Sequence, residues 1–309
     1  MTIRTLRTTD LLRFLIDGRN LGPDLAQTWD KVGNNTGSVP SMTSKASGLV
    51  LHQERERSSV LAEGLHLRAL ASVRARSGPT AWEVHCLNLP PETEEEGTEL
   101  LEKLSILVGD EGGERVFLRL PMLSPITKLA KEAGFLFCTQ ETLYRREASS
   151  SPVPATAKFI RPFLPPDEYP IFRLYNECVP SKVKSEYALT FDEWNDAMES
   201  CGNEVQQGIY EAQSCVRGWV RVGYGKRSAN RLEIMVHPEE ESGVWDDLIS
   251  WGLQQGRLVT PFLSLVPDHQ HTLAWMLEKK GFIPTDEYYL MVKPITVRVK
   301  DSALAPVGA

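Results

Sequence analysis

Leu129-Ala130-Lys131-Glu132-Ala133-Gly134-Phe135 and Met276-Leu277-Glu278-Lys279-Lys280-Gly281-Phe282 share one pattern, an amphipathic helix end closed by Gly-Phe, and lie 147 residues apart (281 − 134). A second pair keeps that spacing. Glu83-Val84-His85-Cys86-Leu87-Asn88-Leu89-Pro90-Pro91-Glu92 aligns with Asn230-Arg231-Leu232-Glu233-Ile234-Met235-Val236-His237-Pro238-Glu239, again at 147 (238 − 91). Two distant blocks at one offset are the signature of an internal repeat. Farther out, Ile3-Arg4-Thr5-Leu6-Arg7-Thr8-Thr9-Asp10 matches Ile160-Arg161-Pro162-Phe163-Leu164-Pro165-Pro166-Asp167 at an offset of 157 (160 − 3). The first copy therefore carries ten extra residues (157 − 147), and the Gly-, Ser-, Thr- and Asn-rich stretch Asn34–Ser47 is their natural place.

Each copy reads as a mixed α+β unit. An opening strand and helix lead into alternating apolar and polar residues over Val60–Arg76 and Ile209–Gly225, the pattern of antiparallel strands. Further strands (Trp82–Leu89; Leu232–Val236) run through a Pro-Glu turn into helices (Glu99–Leu107; Val244–Leu253). Then come a buried strand (Val116–Leu120; Phe262–Val266), a helix ending at Gly134 or Gly281, and a last strand (Thr142–Arg146; Glu287–Val292). The glycines sit where a left-handed cap is needed. The spacing predicts copies over 1–147 and 158–300, a Ser- and Pro-rich linker over 148–157 and a flexible tail over 301–309. Alternation predicts Leu87, Leu89, Ile234 and Val236 buried, and the charge-burial cost predicts Glu94–Glu96 and Glu239–Glu241 exposed.

Composition bounds the function. The chain has 309 residues, 41% hydrophobic and 24% charged, which fits two ordinary globular cores. No apolar run approaches the roughly 20 residues that cross a bilayer, and Arg4, Arg7, Asp10 and Arg13 break up any signal-peptide core, so the expectation is a soluble, cytoplasmic protein. A net charge of −7 argues against a nucleic-acid partner. Cys86, Cys138, Cys178, Cys201 and Cys215 include no C-x-x-C pair, so they read as buried small hydrophobes, without a disulfide framework or a zinc site.

The element order, with Val236-His237-Pro238-Glu239 and the Leu277–Phe282 helix end, resembles the GNAT superfamily of acyl-CoA-dependent N-acyltransferases, twice over nearly the whole chain. The resemblance implies a tandem of two mostly antiparallel, twisted sheets flanked by helices. It implies acetyl-CoA or another acyl-CoA as co-substrate, with its pyrophosphate on the backbone amides of a helix N-terminus. A small amine is the implied acceptor, and no metal is implied. Carried onto this sequence, the co-substrate would meet Met235, Val236, His237, Ser242, Gly243 and Val244.

Departures from the family pattern concern both binding and chemistry. After the Pro-Glu turn the family carries Arg or Gln, two variable residues, Gly, one more, then Gly or Ala. This chain has Thr93-Glu94-Glu95-Glu96-Gly97 and Glu240-Glu241-Ser242-Gly243. At an effective dielectric near 20, a carboxylate about 6 Å from a phosphate opposes it by roughly 3 kcal/mol before screening. The same carboxylates also favour a helix start with no ligand, by about 0.3–1 kcal/mol each, and on that reading they fill the anion site themselves. The family's thiolate-protonating tyrosine is replaced by Ala130 and Leu277. Its general base, a glutamate on the central strand, has Glu83 as a match in the first copy and Asn230 in the second, with Glu233 one register away. Tyr288 and Tyr289 open the last strand of the second copy, and alternation turns one of them inward, where it lines a cleft or joins the core.

Other features read as structural. Gly218, Gly223, Gly225, Lys226 and Ser228 lack the phosphate-loop spacing and form a hairpin turn. His269 and His271 read as an exposed loop pair, and Trp194, Trp219, Trp245, Trp251 and Trp275 as packing residues. Two functions stand: an N-acyltransferase with a degenerate CoA loop, or a non-catalytic binding or scaffold protein on the same fold.

Overall fold

The structure, a computed structural model, describes residues 2–7, 10, 21–33, 56–63, 66–148, 159–224, 229–257 and 259–295. The predicted opening helix of the first copy, the Asn34–Ser47 insertion, the tip of the second hairpin and the tail lie outside them, as does the linker beyond Ala148.

In the N-terminal half the described elements are β1 (Thr2–Thr5), β2 (Glu56–Glu63), β3 (His66–Ala75), β4 (Ala81–Asn88), α1 (Gly97–Asp110), β5 (Arg115–Pro121), α2 (Thr127–Glu132) and β6 (Leu136–Arg146). The C-terminal half repeats the order with β7 (Ile160–Pro162), α3 (Glu168–Cys178), α4 (Ser181–Tyr187), α5 (Phe191–Ala197), β8 (Glu204–Ala212), β9 (Cys215–Tyr224), β10 (Asn230–Val236), α6 (Ser242–Gln255), β11 (Phe262–Pro267), α7 (His271–Lys279) and β12 (Ile283–Pro294). Most elements extend the sequence reading by one to three residues, but β6 begins six residues before the predicted Thr142. Helices α4 and α5 escaped that reading. Each spans 7 residues, too short for a periodic signal; α5 starts from a Thr190–Glu193 capping box.

All the described strands join one sheet of twelve, in the order β1-β2-β3-β4-β5-β12-β6-β11-β10-β9-β8-β7. The two halves exchange their last strands. β12 lies antiparallel between β5 and β6, and β6 lies antiparallel between β12 and β11. Each half's sheet is thus closed by the other's final strand, and the exchange leaves no open edge at the centre.

Alternation divides the residues between two faces. On one, α1 and α2 cover Val84, Leu118 and Leu120, and α6 and α7 cover Leu232, Ile234 and Val236. On the other, α3 and α5 cover Ile209, Trp219 and Met235. Leu87, Leu89, Ile234 and Val236 are all buried, as alternation required. Gly134 and Gly281 follow their helices at φ +86° and +82°, the left-handed caps expected of them. At Gly281 an added Cβ would meet nothing within 4 Å, so Gly281→Ala tests backbone strain alone. A loss of about 1 kcal/mol in urea unfolding is expected, with no change in the denaturant slope.

Candidate functional site

The parallel pairs position the site. In the C-terminal half, β10 and β11 are bonded only at Asn230↔Phe262 and Arg231↔Leu263 and then part. In the N-terminal half, β4 and β5 pair at Ala81–Glu83 against Arg115–Phe117 and part likewise. What fills the two gaps differs. Between β4 and β5 lies the chain's own segment Gly22–Gln27: the Leu25 amide donates to the Leu87 carbonyl (2.8 Å) and the Gln27 amide to the Arg119 carbonyl (2.9 Å). The Leu87 amide donates to the Asp24 carboxylate and the Asn88 side-chain amide to the Gly22 carbonyl. Beyond this plug, the first turn of α1 is packed shut, since a Cβ on Gly97 would lie 2.6 Å from Leu89. Gly243 in the first turn of α6 faces open space. Its amide and that of Ser242 belong to the helix's orphan donors.

Between β10 and β11 a cavity of about 190 Å³ opens toward the α3–α5 face, over ten times the roughly 10–15 Å³ that one water needs. Trp29, Tyr175, Tyr187, Trp194 and Trp219 contribute aromatic rings to its walls, and Met235, Leu265 and Leu273 edge the gap. Its polar side is an ion network. Arg119 on β5 binds Glu141 on β6 (2.6 Å) and Glu199, after α5 (2.6 Å); Arg221 on β9 binds Glu233 on β10 through both carboxylate oxygens (2.8 and 2.6 Å). Burial works against ionisation of Glu199, yet Arg119 and Arg76 outweigh it and hold its carboxyl far below the usual range. Glu141 moves the other way, because burial outweighs the pull of Arg119.

The expected co-substrate residues cluster at the β10–α6 turn. Val236 is buried, and its carbonyl accepts from the Cys178 thiol (3.3 Å). His237 Nδ1 accepts from the Glu239 amide (3.2 Å), Ser242 and Gly243 are exposed, and Val244 is half-buried. The glutamates are not uniformly exposed. Glu95, Glu239 and Glu241 are exposed, but Glu96 and Glu240 are half-buried; the Glu94 side chain lies outside the described set. Arg217 on β9 grips Glu240 (2.8 Å) and Glu239 (3.2 Å), so two acidic side chains occupy the guanidinium nearest the turn.

The other singled-out residues fall in several environments, and three expectations are corrected: His269 as an exposed loop residue, all five cysteines as buried, and Trp275 as a packing residue. Glu83, the first copy's match to the family's general base, is 6% exposed and held between Arg74 (2.7 Å) and Arg76 (3.2 Å). Of the two tyrosines on β12, which the strand exchange pairs with β5, Tyr288 turns inward and joins the core with Trp29 and Leu263, as alternation allowed, and Tyr289 is half-buried against the N-terminal core. His271 is exposed, but the His269 side chain is 13% exposed and lines the cavity. Of the cysteines, Cys215 is exposed and Cys178 half-buried. Trp275 is likewise half-exposed, under the Lys279 ammonium.

Sequence reasoning missed Arg119, Glu141, Glu199 and Arg221. Arg119 carried a signal, a lone charge inside Val-Phe-Leu-Arg-Leu-Pro, because a charge in a buried strand needs a partner. Among the described residues no group of three His, Cys, Asp or Glu side chains could hold a metal, and no helix is long and apolar enough to cross a membrane.

No protein-family model matches the sequence, and no curated protein matches it. Solved structures do resemble it. A GCN5-related N-acetyltransferase from Sphaerobacter thermophilus aligns at TM-score 0.56 and 15% identity, covering 95% of each chain. A tandem GNAT protein from the clavulanic acid biosynthesis pathway aligns at TM-score 0.50 and 12% identity, covering 96% of this chain and 98% of that one. At such identities the likeness establishes the fold: a mixed α+β architecture of GNAT type.

Proposed function

We propose, from the GNAT fold this chain carries, that its C-terminal half is an acyl-CoA-dependent N-acyltransferase acting on a small amine, with the N-terminal half as a structural partner that completes the pocket. The observation that carries the reading is the asymmetry of the two gaps: β4 and β5 are bridged by Gly22–Gln27, whereas β10 and β11 open into a cavity. In this reading the acyl thioester lies between β10 and β11. Its pyrophosphate rests on the amides of Ser242 and Gly243, where the orphan donors and helix dipole favour an anion; the Val244 amide already donates to the Glu241 carbonyl (3.0 Å). The acceptor enters from the α3–α5 face. Its hydrocarbon part lies against Trp194 and Trp219, and its ammonium group faces Glu233, which Arg221 holds in place.

A second reading, a non-catalytic binding module, has its own support: Ala130 and Leu277 stand where the family has a tyrosine, and Glu239 and Glu240 occupy Arg217. Calorimetric titration with acetyl-CoA separates the two. The enzyme reading expects one site per chain with Kd about 0.1 mM, near −5.5 kcal/mol. Replacing Glu239 and Glu240 with glutamine frees Arg217, and affinity should then rise about tenfold, more at low salt because these charges are screened. Absence of any heat at millimolar acetyl-CoA, in wild type and variant alike, leaves the binding-module reading.

A further inference from the structure

His269 is a titratable side chain in the cavity wall whose polar atoms the fold leaves uncommitted. It stands between β11 and α7, at the far end of the gap, and neither Nδ1 nor Nε2 has a hydrogen-bond partner among the described residues, although both atoms are buried. Its nearest carboxylate, Asp268, approaches Nδ1 only to 3.7 Å. Asp268 is itself held from β6, accepting from the Thr139 hydroxyl (2.8 Å) and donating its amide to the Gln140 carbonyl (2.8 Å). A buried imidazole with two unused nitrogens costs about 1–3 kcal/mol per unsatisfied group, so its retention in a cavity wall calls for a ligand or a proton.

The other titratable side chains facing the cavity are already engaged. Glu233 is clamped by Arg221, and Glu141 and Glu199 share Arg119. The oxygens of these carboxylates are taken up by guanidinium groups, whereas both imidazole nitrogens of His269 are open to a ligand. We infer that His269 is the proton carrier of the acyl transfer, taking protons from the acceptor amine and returning one to the departing thiolate. This rests on the N-acyltransferase reading above. Burial holds the imidazole below its ordinary value, against the raising effect of Asp268 and with the lowering effect of His271, so it is neutral and able to accept near pH 7.

The step balances. His269 takes one proton from the incoming ammonium and passes it to solvent. The freed nitrogen lone pair forms the C–N bond at the thioester carbonyl. His269 takes the second nitrogen-bound proton as the tetrahedral adduct forms, the C–S bond breaks with its electron pair on sulfur, and the imidazolium protonates that thiolate. Amide, free CoA thiol and one solvent proton result. The role of the tyrosine absent at Leu277 is thereby taken by a residue in the loop that leads into the same helix.

The full chain has six histidines, so histidine-labelled protein gives a resolvable nuclear magnetic resonance titration, with His269→Gln identifying its own signal. The expected result is a His269 signal that titrates below the ordinary imidazole value of about 6.5 and moves when acetyl-CoA is added. With a panel of primary amines, His269→Gln should slow acetyl-CoA consumption by about 10²–10⁴-fold and abolish the acidic limb of the kcat/KM profile, which a merely structural role would leave in place. Calorimetric binding of acetyl-CoA with an unmoved His269 signal, or with a variant rate within about twofold of wild type and the same pH profile, overturns this inference alone. No binding at millimolar acetyl-CoA overturns the parent reading and this one with it.

Discussion

Replacing Arg119 with methionine is expected to cost about 3–5 kcal/mol of folding stability, the range for leaving a buried charge without its partner. Arg119 is 3% exposed and joins elements from both halves: Glu141 on β6 and Glu199 after α5. The variant keeps Arg76 near Glu199 at 3.5 Å but leaves Glu141 with no cation in contact among the described residues. The sign with pH follows. In the wild type Glu199 ionises far below the unfolded value of about 4.3, so its contribution is present above that pH and lost as pH falls. Glu141, held up by burial, contributes below about 4.3 and loses that contribution as pH rises. Without Arg119 both carboxyls move up. The deficit should therefore widen between pH 5 and pH 8 in urea unfolding. A deficit below about 1 kcal/mol at pH 8, or one that does not grow with pH, contradicts this account of the network. Replacing Arg119, Glu141 and Glu199 together by apolar residues should recover most of the loss, because no buried charge then remains uncompensated there.

Filling the gap between β10 and β11 should abolish acetyl-CoA binding while the chain stays folded. Leu265 on β11 is half-buried at the edge of the cavity, and Leu265→Trp would place an indole where the thioester arm is proposed to lie. A loss beyond about 100-fold is expected, at least ~2.7 kcal/mol, which takes the titration heat below detection. Overpacking costs about 1–3 kcal/mol of stability, so the variant's unfolding transition is measured alongside. The N-terminal half supplies the contrast. Its gap is bridged by Leu25 and Gln27 in the manner of a short added strand, so wild type should titrate to one acetyl-CoA per chain. A stoichiometry of two would mean that Gly22–Gln27 yields to the ligand. Retained binding in Leu265→Trp would move the site elsewhere.

The local elements were legible because their signals are local. Gly134 and Gly281 announced helix ends by the one backbone conformation that glycine adopts cheaply, and the structure has both in it. Leu232, Ile234 and Val236 announced a buried face by their period of two, which every strand with one covered face must obey. The fold class followed from the order of such elements and from their repetition at 147 residues (281 − 134).

The site was legible only in part, because it is built from pairings that no local pattern encodes. Glu233 was noticed as a carboxylate on the central strand, but its partner Arg221 sits across a hairpin, and the register of β9 against β10 makes them neighbours. The exchange of β6 and β12 is invisible in sequence, since either strand satisfies the same alternation wherever it pairs; that exchange pairs Tyr288 and Tyr289 with β5 and leaves Arg119 and Glu141 in the cavity wall. His269 read as an exposed loop residue because a loop's burial depends on what packs above it. The chain alone thus determined which segments become strands and helices, and that they recur, because propensity and periodicity act over a few residues. Only the tertiary structure decided which of two equivalent gaps is open, because Gly22–Gln27 and the strand exchange are contacts made across the fold.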